Sequence, residues 1–160
     1  YKTMIKKILI LIFISQLLIA CGFTPTYKVL DSINNIDVHY EIDPNNSYVA
    51  RHMLSTLVQS VNKDKVKFIT KVNIKENESA VNVNSSGSVN EYKIEVLINF
   101  EIFKIEDGLL FYKSQSRGFA NYDVSDSEYT NTLVKKDALE RALTEGIQLM
   151  DIIVKSKFNE

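Results

Sequence analysis

From residue 36 onward the chain alternates apolar and polar positions in long stretches, and the period of the alternation separates strands from helices. Ile36-Asp37-Val38-His39-Tyr40-Glu41-Ile42 alternates strictly and is rich in strand formers, which predicts a first strand. Asp43-Pro44-Asn45-Asn46 breaks it. Val49, Met53, Leu54, Leu57, Val58 and Val61 then recur at helical spacing, with Asn46 or Ser47 placed to cap the first turn. A second alternation runs from Lys65 to about Glu76. It sets Val66, Phe68, Val72 and Ile74 on one face and Lys65, Lys67, Lys71 and Lys75 on the other. Strand, helix and strand in succession imply a right-handed crossover, so the second strand is expected parallel to the first.

Asn84-Ser85-Ser86-Gly87-Ser88 is a cluster of turn formers, and the strongest alternation of the chain follows it: Tyr92, Ile94, Val96, Ile98, Phe100 and Ile102. Glu106-Asp107-Gly108 supplies a hairpin turn, and Leu109 to Tyr122 returns antiparallel. One face of this strand carries Leu110, Tyr112, Ser114, Ser116, Gly118 and Ala120, small enough for a helix to lie close. The other carries Phe111, Lys113, Gln115, Arg117 and Phe119. After Asp126 or Ser127, a long amphipathic segment keeps Leu139, Ala142, Leu143, Ile147, Met150, Ile153 and Val154 at helical spacing. The expected fold class is α+β: a sheet of about four strands, in β-α-β-β-β-α order, with two helices packed on one face.

The N-terminus has a different pattern. Lys2, Lys6 and Lys7 precede an apolar run from Ile8 to Ile14, and Leu17-Leu18-Ile19-Ala20 carries it to Cys21. This is the order of a secretion signal, with Met4 the expected start. A membrane-spanning helix needs about 20 apolar residues, and here Ser15-Gln16 interrupts a shorter stretch. Leu18-Ile19-Ala20-Cys21 is similar to a bacterial lipobox, which implies cleavage after Ala20 and a lipid on Cys21. Cys21 is the only cysteine, so no intrachain disulfide can form. Gly22 follows it, and the absence of aspartate there favours transfer to the outer membrane. The expected organisation is therefore a signal over 1–20, a lipidated tether over 21–34 and one domain over 35–160. Loss of Lys2, Lys6 and Lys7 leaves 16 basic against 20 acidic side chains, a net charge near −4.

Catalytic chemistry finds little to stand on. His39 and His52 are the only imidazoles, and neither has the spacing of a metal or nucleophile motif. Ordinary surface or boundary positions explain both. Two histidines and no thiol left after lipidation are too few for a zinc site. The five glycines form no phosphate-binding loop. Asp123 and Asp126 are read as residues of the second helix's start, where the helix dipole favours acids. No enzyme activity, metal, cofactor or nucleic-acid partner is expected; the one covalent addition is the lipid on Cys21.

One feature stands above this background. The strand face turned away from the helices would gather Lys67, Lys71, Lys75, Lys93, Lys113 and Arg117, together with Lys65, among Glu91, Glu95 and Glu101. Phe103, Ile105, Phe111 and Phe119 share its alternation. Such a face suits a ligand bearing both phosphates and acyl chains, or a protein surface. It equally suits a solvated face of an antiparallel sheet.

Several stretches together resemble the lipopolysaccharide-assembly lipoprotein family, LptE. They are Cys21-Gly22-Phe23-Thr24-Pro25-Thr26-Tyr27, Asp107-Gly108, Arg117-Gly118, Tyr122, Ser127-Glu128-Tyr129, and Asp137-Ala138-Leu139-Glu140-Arg141-Ala142. Thr130 departs from the alanine usual there. The resemblance covers most of the chain after Cys21, through diffuse motifs. It implies a non-enzymatic lipoprotein that plugs the LptD outer-membrane β-barrel, helps assemble it, and assists insertion of lipopolysaccharide. It also implies that lipopolysaccharide is bound through basic side chains, for which the residues above are candidates. A lipoprotein of an envelope ABC-type transporter, acting as a periplasmic adaptor, is the alternative.

Overall fold

Strand-forming residues at Val38–Ile42 (β1) lead through the Asp43-Pro44 break into a helix over Tyr48–Leu57 (α1). Three long strands follow, Phe68–Val83 (β2), Val89–Lys104 (β3) and Leu110–Asp123 (β4), and then a helix over Glu128–Ser156 (α2). The computed structural model describes residues 38–58, 60, 64 and 66–158. By its contacts the chain divides into residues 1–34 and 35–160, and all described residues belong to the second unit. The expected signal over 1–20, Cys21, Val61 and Lys65 lie outside the described residues.

The sheet runs β1-β2-β3-β4, with β1 parallel to β2 and the other pairs antiparallel. It is the expected α+β arrangement, with both helices on one side. Ser47 caps α1, its hydroxyl accepting from the Ala50 N–H at 3.0 Å. Ser127 caps α2 by accepting from Thr130 at 3.3 Å. The hairpin turns each use a glycine at positive φ, +83° at Gly87 and +68° at Gly108, where a side chain would be strained.

Even-numbered strand positions face the helices. Val72, Ile74, Ile94, Val96, Ile98, Phe100 and Ile102 are buried against Ala50 and Leu54 of α1 and Ala138, Ala142, Leu143, Ile147, Met150 and Val154 of α2. The small residues of β4 let α2 approach closely. A Cβ on Gly118 would stand 1.9 Å from the Ala142 carbonyl oxygen and 2.7 Å from the Gly146 nitrogen. The Ser116 hydroxyl donates to the Gly146 carbonyl at 2.8 Å and pins the helix there. A charged group is buried in the core as well. Asp151, 8% exposed, accepts from the Tyr40 hydroxyl at 2.8 Å and pairs with Lys155 at 2.5 Å.

Two expectations need correction. β2 does not end near Glu76 but continues to Val83, paired with β3 in unbroken register to Ala80 and with shifts in register beyond it. Its core-facing positions turn polar at Glu76 and Glu78, so the alternation fades while the backbone ladder persists. Glu78 accepts from Tyr122 and pairs with Lys135 at 2.7 Å, giving those polar positions partners on the helix side. Burial would raise the Glu78 carboxyl, but hydrogen bonds from Lys135 and Tyr122 and the Lys135 charge outweigh it and hold its pKa below the ordinary value. The second correction is a register shift where Ile102 pairs with Tyr112 and Phe103 with Leu110, leaving Phe111 as the extra residue. Phe111 therefore leaves the outer face and packs on Phe68 and Phe158, at ring distances of 5.3 and 5.8 Å. Leu110, expected under the helices, pairs with Phe103 and is 51% exposed.

Candidate functional site

The face of the sheet opposite the helices is built from odd-numbered positions, and strand register arranges them in rows. Glu41, Lys71, Glu101 and Lys113 lie side by side across all four strands. Next to them Asn73, Asn99 and Gln115 form a row that Asp43 closes, accepting from the Asn73 amide at 3.0 Å. Lys75, Leu97 and Arg117 make the following row, then Asn77, Glu95 and Phe119, then Ser79, Lys93 and Asn121.

Five of the six basic candidates, Lys71, Lys75, Lys93, Lys113 and Arg117, thus share one face. Lys67 stands on the same alternation just before β2, where its carbonyl accepts from the Ile105 N–H at 3.0 Å. The five are not equivalent. Lys71 lies between Glu41 and Glu101 in register and has its ammonium 4.9 Å from the Phe103 ring centre. Lys113 bridges Glu101 at 2.6 Å, and Arg117 approaches Glu95 at 3.7 Å. Lys93 lies 4.1 Å over the Phe119 ring. Lys75 has no ion pair among the described residues. Exposed pairs of this kind contribute about 0–1 kcal/mol to stability. Their larger effect is on the field: the Glu41-to-Lys113 row sums to zero charge, while the rows from Lys75 to Asn121 hold Lys75, Lys93 and Arg117 against Glu95, a smaller cationic excess.

A cleft of about 410 Å³ opens where β1 gives way to Pro44, lined by Glu41, Ile42, Asp43, Pro44, Lys71, Val72, Asn73, Asn99 and Glu101. The Asn45 backbone N–H, then the Asn73 amide, donates to Asp43 and holds its carboxyl below the usual carboxylate range. This cleft and the amide row beside it were not anticipated. Asn73, Asn99 and Gln115 do lie on the outer alternation, but only strand register brings them together.

Of the histidines, His39 lies on this face in register with Ile69 and Phe103, one row from Glu41, whereas His52 lies on α1 away from it. His52 stacks on Tyr48, with ring planes 3° apart. The Ser60 hydroxyl accepts from the Tyr40 N–H at 3.1 Å and lies 3.2 Å from His39 Nδ1, tying the loop after α1 to β1. Among the described residues no group of three or more His, Cys, Asp or Glu could hold a metal ion, and no helix is long and apolar enough to cross a membrane.

Fold and face together define a class: a small α+β domain in which, among the described residues, two helices cover one side of a four-stranded sheet and the other side is open. Neither a family model nor a curated protein sequence matches the chain. Solved structures do. A proposed lipoprotein from Caulobacter crescentus CB15 superposes with a TM-score of 0.60 at 15% identity, over 82% of this chain and 96% of that one. A minor lipoprotein from Acinetobacter baumannii gives 0.59 at 12% identity, over 75% and 90%. The rare lipoprotein B of Shewanella oneidensis gives 0.56 at 11% identity, over 76% and 96%. The chain shares their fold.

Proposed function

We propose that this chain is a non-enzymatic outer-membrane lipoprotein, anchored through Cys21, that plugs an LptD-type β-barrel and assists insertion of lipopolysaccharide into the outer leaflet. The open sheet face is the observation that carries the reading. Two helices cover one side of the sheet, while the other side presents cations, aromatic rings and hydrogen-bonding amides to a ligand or a wall. Supporting it are the signal and Cys21 pattern and a fold shared with lipoproteins from three bacteria. Lys and Arg suit phosphate recognition because charge-assisted hydrogen bonds to phosphate oxygens are short and strong.

Register ranks the candidates. Lys75, Lys93 and Arg117 carry the cationic excess, whereas Lys71 and Lys113 flank Glu101. Reversal of the first three to Glu is expected to weaken lipopolysaccharide binding at least about tenfold, since each charge-assisted bond is worth about 1.5–3 kcal/mol and tenfold is about 1.4 kcal/mol. Reversal of Lys71 and Lys113 should have a smaller effect. Barrel association, read by co-purification from outer membranes, should survive both. Loss of the barrel with unchanged lipopolysaccharide affinity would make the face a protein-docking surface. Co-purification with an inner-membrane permease instead would favour the transporter adaptor.

A further inference from the structure

The row between the ionic pairs and the Lys75–Arg117 row is chemically different from both. Asn73, Asn99 and Gln115 stand in register on three neighbouring strands, and Asp43 closes the row. Neighbouring strands lie about 4.8 Å apart, so three amides span about 10 Å, a length that two linked sugar rings can follow. Each primary amide offers two N–H donors and an acceptor oxygen in one plane. No other described residue hydrogen-bonds the side chains of Asn99 and Gln115. Their donors and acceptors face outward and are available.

The surroundings select the ligand. On one side Glu41, Lys71, Glu101 and Lys113 alternate in sign, with Lys113 bridged to Glu101 at 2.6 Å, so an anion gains little there. On the other side Leu97 separates Lys75 from Arg117 and offers an apolar surface to C–H groups. The cleft of about 410 Å³ at the Asp43 end is within the range that small ligands occupy. A neutral molecule with many hydroxyls and an apolar edge fits these three features together.

We infer that Asp43, Asn73, Asn99 and Gln115 form a saccharide-binding row that hydrogen-bonds paired hydroxyls of a sugar chain. The inference rests on the lipopolysaccharide reading for the source of the sugar, and it assigns the sugar portion of that molecule to residues distinct from the basic ones. Phosphates would then fall toward Lys75, Lys93 and Arg117. The carboxylate of Asp43, kept ionised by its own donors, accepts from hydroxyls, and the amides both donate and accept.

The test uses the full chain in detergent micelles, labelled so that Asn and Gln side-chain amides are resolved by NMR. The probe is a neutral oligosaccharide prepared from lipopolysaccharide, free of lipid, phosphate and carboxylate groups. The Asn99 and Gln115 amide signals should shift saturably, and the affinity should change less than about twofold between about 0.05 and 0.5 M salt, because neutral contacts are not screened. The double variant Asn99→Leu/Gln115→Leu should lose at least about tenfold in affinity for this oligosaccharide while keeping its melting temperature. Absence of an amide shift, or a response reproduced by inorganic phosphate and abolished by salt, overturns the inference. Retained lipid A binding without any sugar response sinks the sugar row and leaves the broader reading. A saturable sugar response in a chain that binds neither lipid A nor a barrel supports the row and sinks the broader reading.

Discussion

Thr70 sits at the centre of the sheet, fully buried between Tyr40 on β1 and Ile102 on β3, and its hydroxyl has no hydrogen-bond partner among the described residues. A buried hydroxyl without a partner costs about 1–3 kcal/mol relative to one in water. Thr70→Val keeps the branched shape that suits a strand and removes the stranded oxygen. The expected outcome is a gain of about 1 kcal/mol, a rise of a few degrees in the thermal midpoint, with the proposed lipopolysaccharide binding unaffected because the side chain faces away from the open rows. A loss of stability would mean that the hydroxyl has a partner, most simply an ordered water. Asp151 is the opposite case. It is nearly as buried, but the Tyr40 hydroxyl and Lys155 satisfy it, and the phenol is driven well above its ordinary pKa by burial first and by the Asp151 carboxylate second. Burial alone does not mark a polar residue as strained.

At the level of elements, α2 is held to β4 by the absence of side chains. An added Cβ at Gly118 meets backbone atoms of Ala142 and Gly146, which cannot rotate away, whereas a Cβ at Gly146 meets the Ile98 Cδ1 at 3.1 Å and the Gly118 nitrogen at 3.3 Å. Gly118→Ala must push the helix off the strand and is expected to cost about 3 kcal/mol or more, at the upper end of overpacking effects. Gly146→Ala asks for a few tenths of an ångström and should cost about 1 kcal/mol. Chemical denaturation of the two variants checks the order, and equal losses would show that the helix does not lean on Gly118. The small-residue face of β4 was readable in the sequence because Ser114, Ser116, Gly118 and Ala120 fall on one alternation. Other elements hid their structure. The far half of β2 carries Glu76 and Glu78 on the core alternation, so pattern suggested an end where the ladder continues. The shift at Phe111 reverses which face its side chain meets, and no local residue announces it. The amide row belongs to three strands at once, and a sequence does not state register.

For the molecule as a whole, alternation divided the sheet correctly into a face under helices and a face in the open, and element order followed from turn residues and helical spacing. The charge on the open face was less legible, since Glu41 and Glu101 neutralise Lys71 and Lys113 only once the strands are aligned. What the proposed role adds is a requirement at the other end of the chain. Each buried methylene contributes about 0.8 kcal/mol, and a single acyl chain gives only marginal, reversible binding, so stable residence on a membrane needs more than one chain. The pattern ending in Leu18-Ile19-Ala20-Cys21 implies that Cys21 carries them. Cys21→Ser puts a hydroxyl of similar size in place of the thiol that would be alkylated. Metabolic labelling with a radioactive fatty acid should therefore mark the unaltered chain and leave Cys21→Ser unlabelled, and the variant should appear as a longer, unprocessed precursor or away from the outer-membrane fraction. The domain over 35–160 has its own core and should melt at the same temperature in both chains, which separates a failure of anchoring from a failure of folding. Equal labelling of the two chains would remove the lipid from Cys21 and, with it, the anchor on which the proposed role depends.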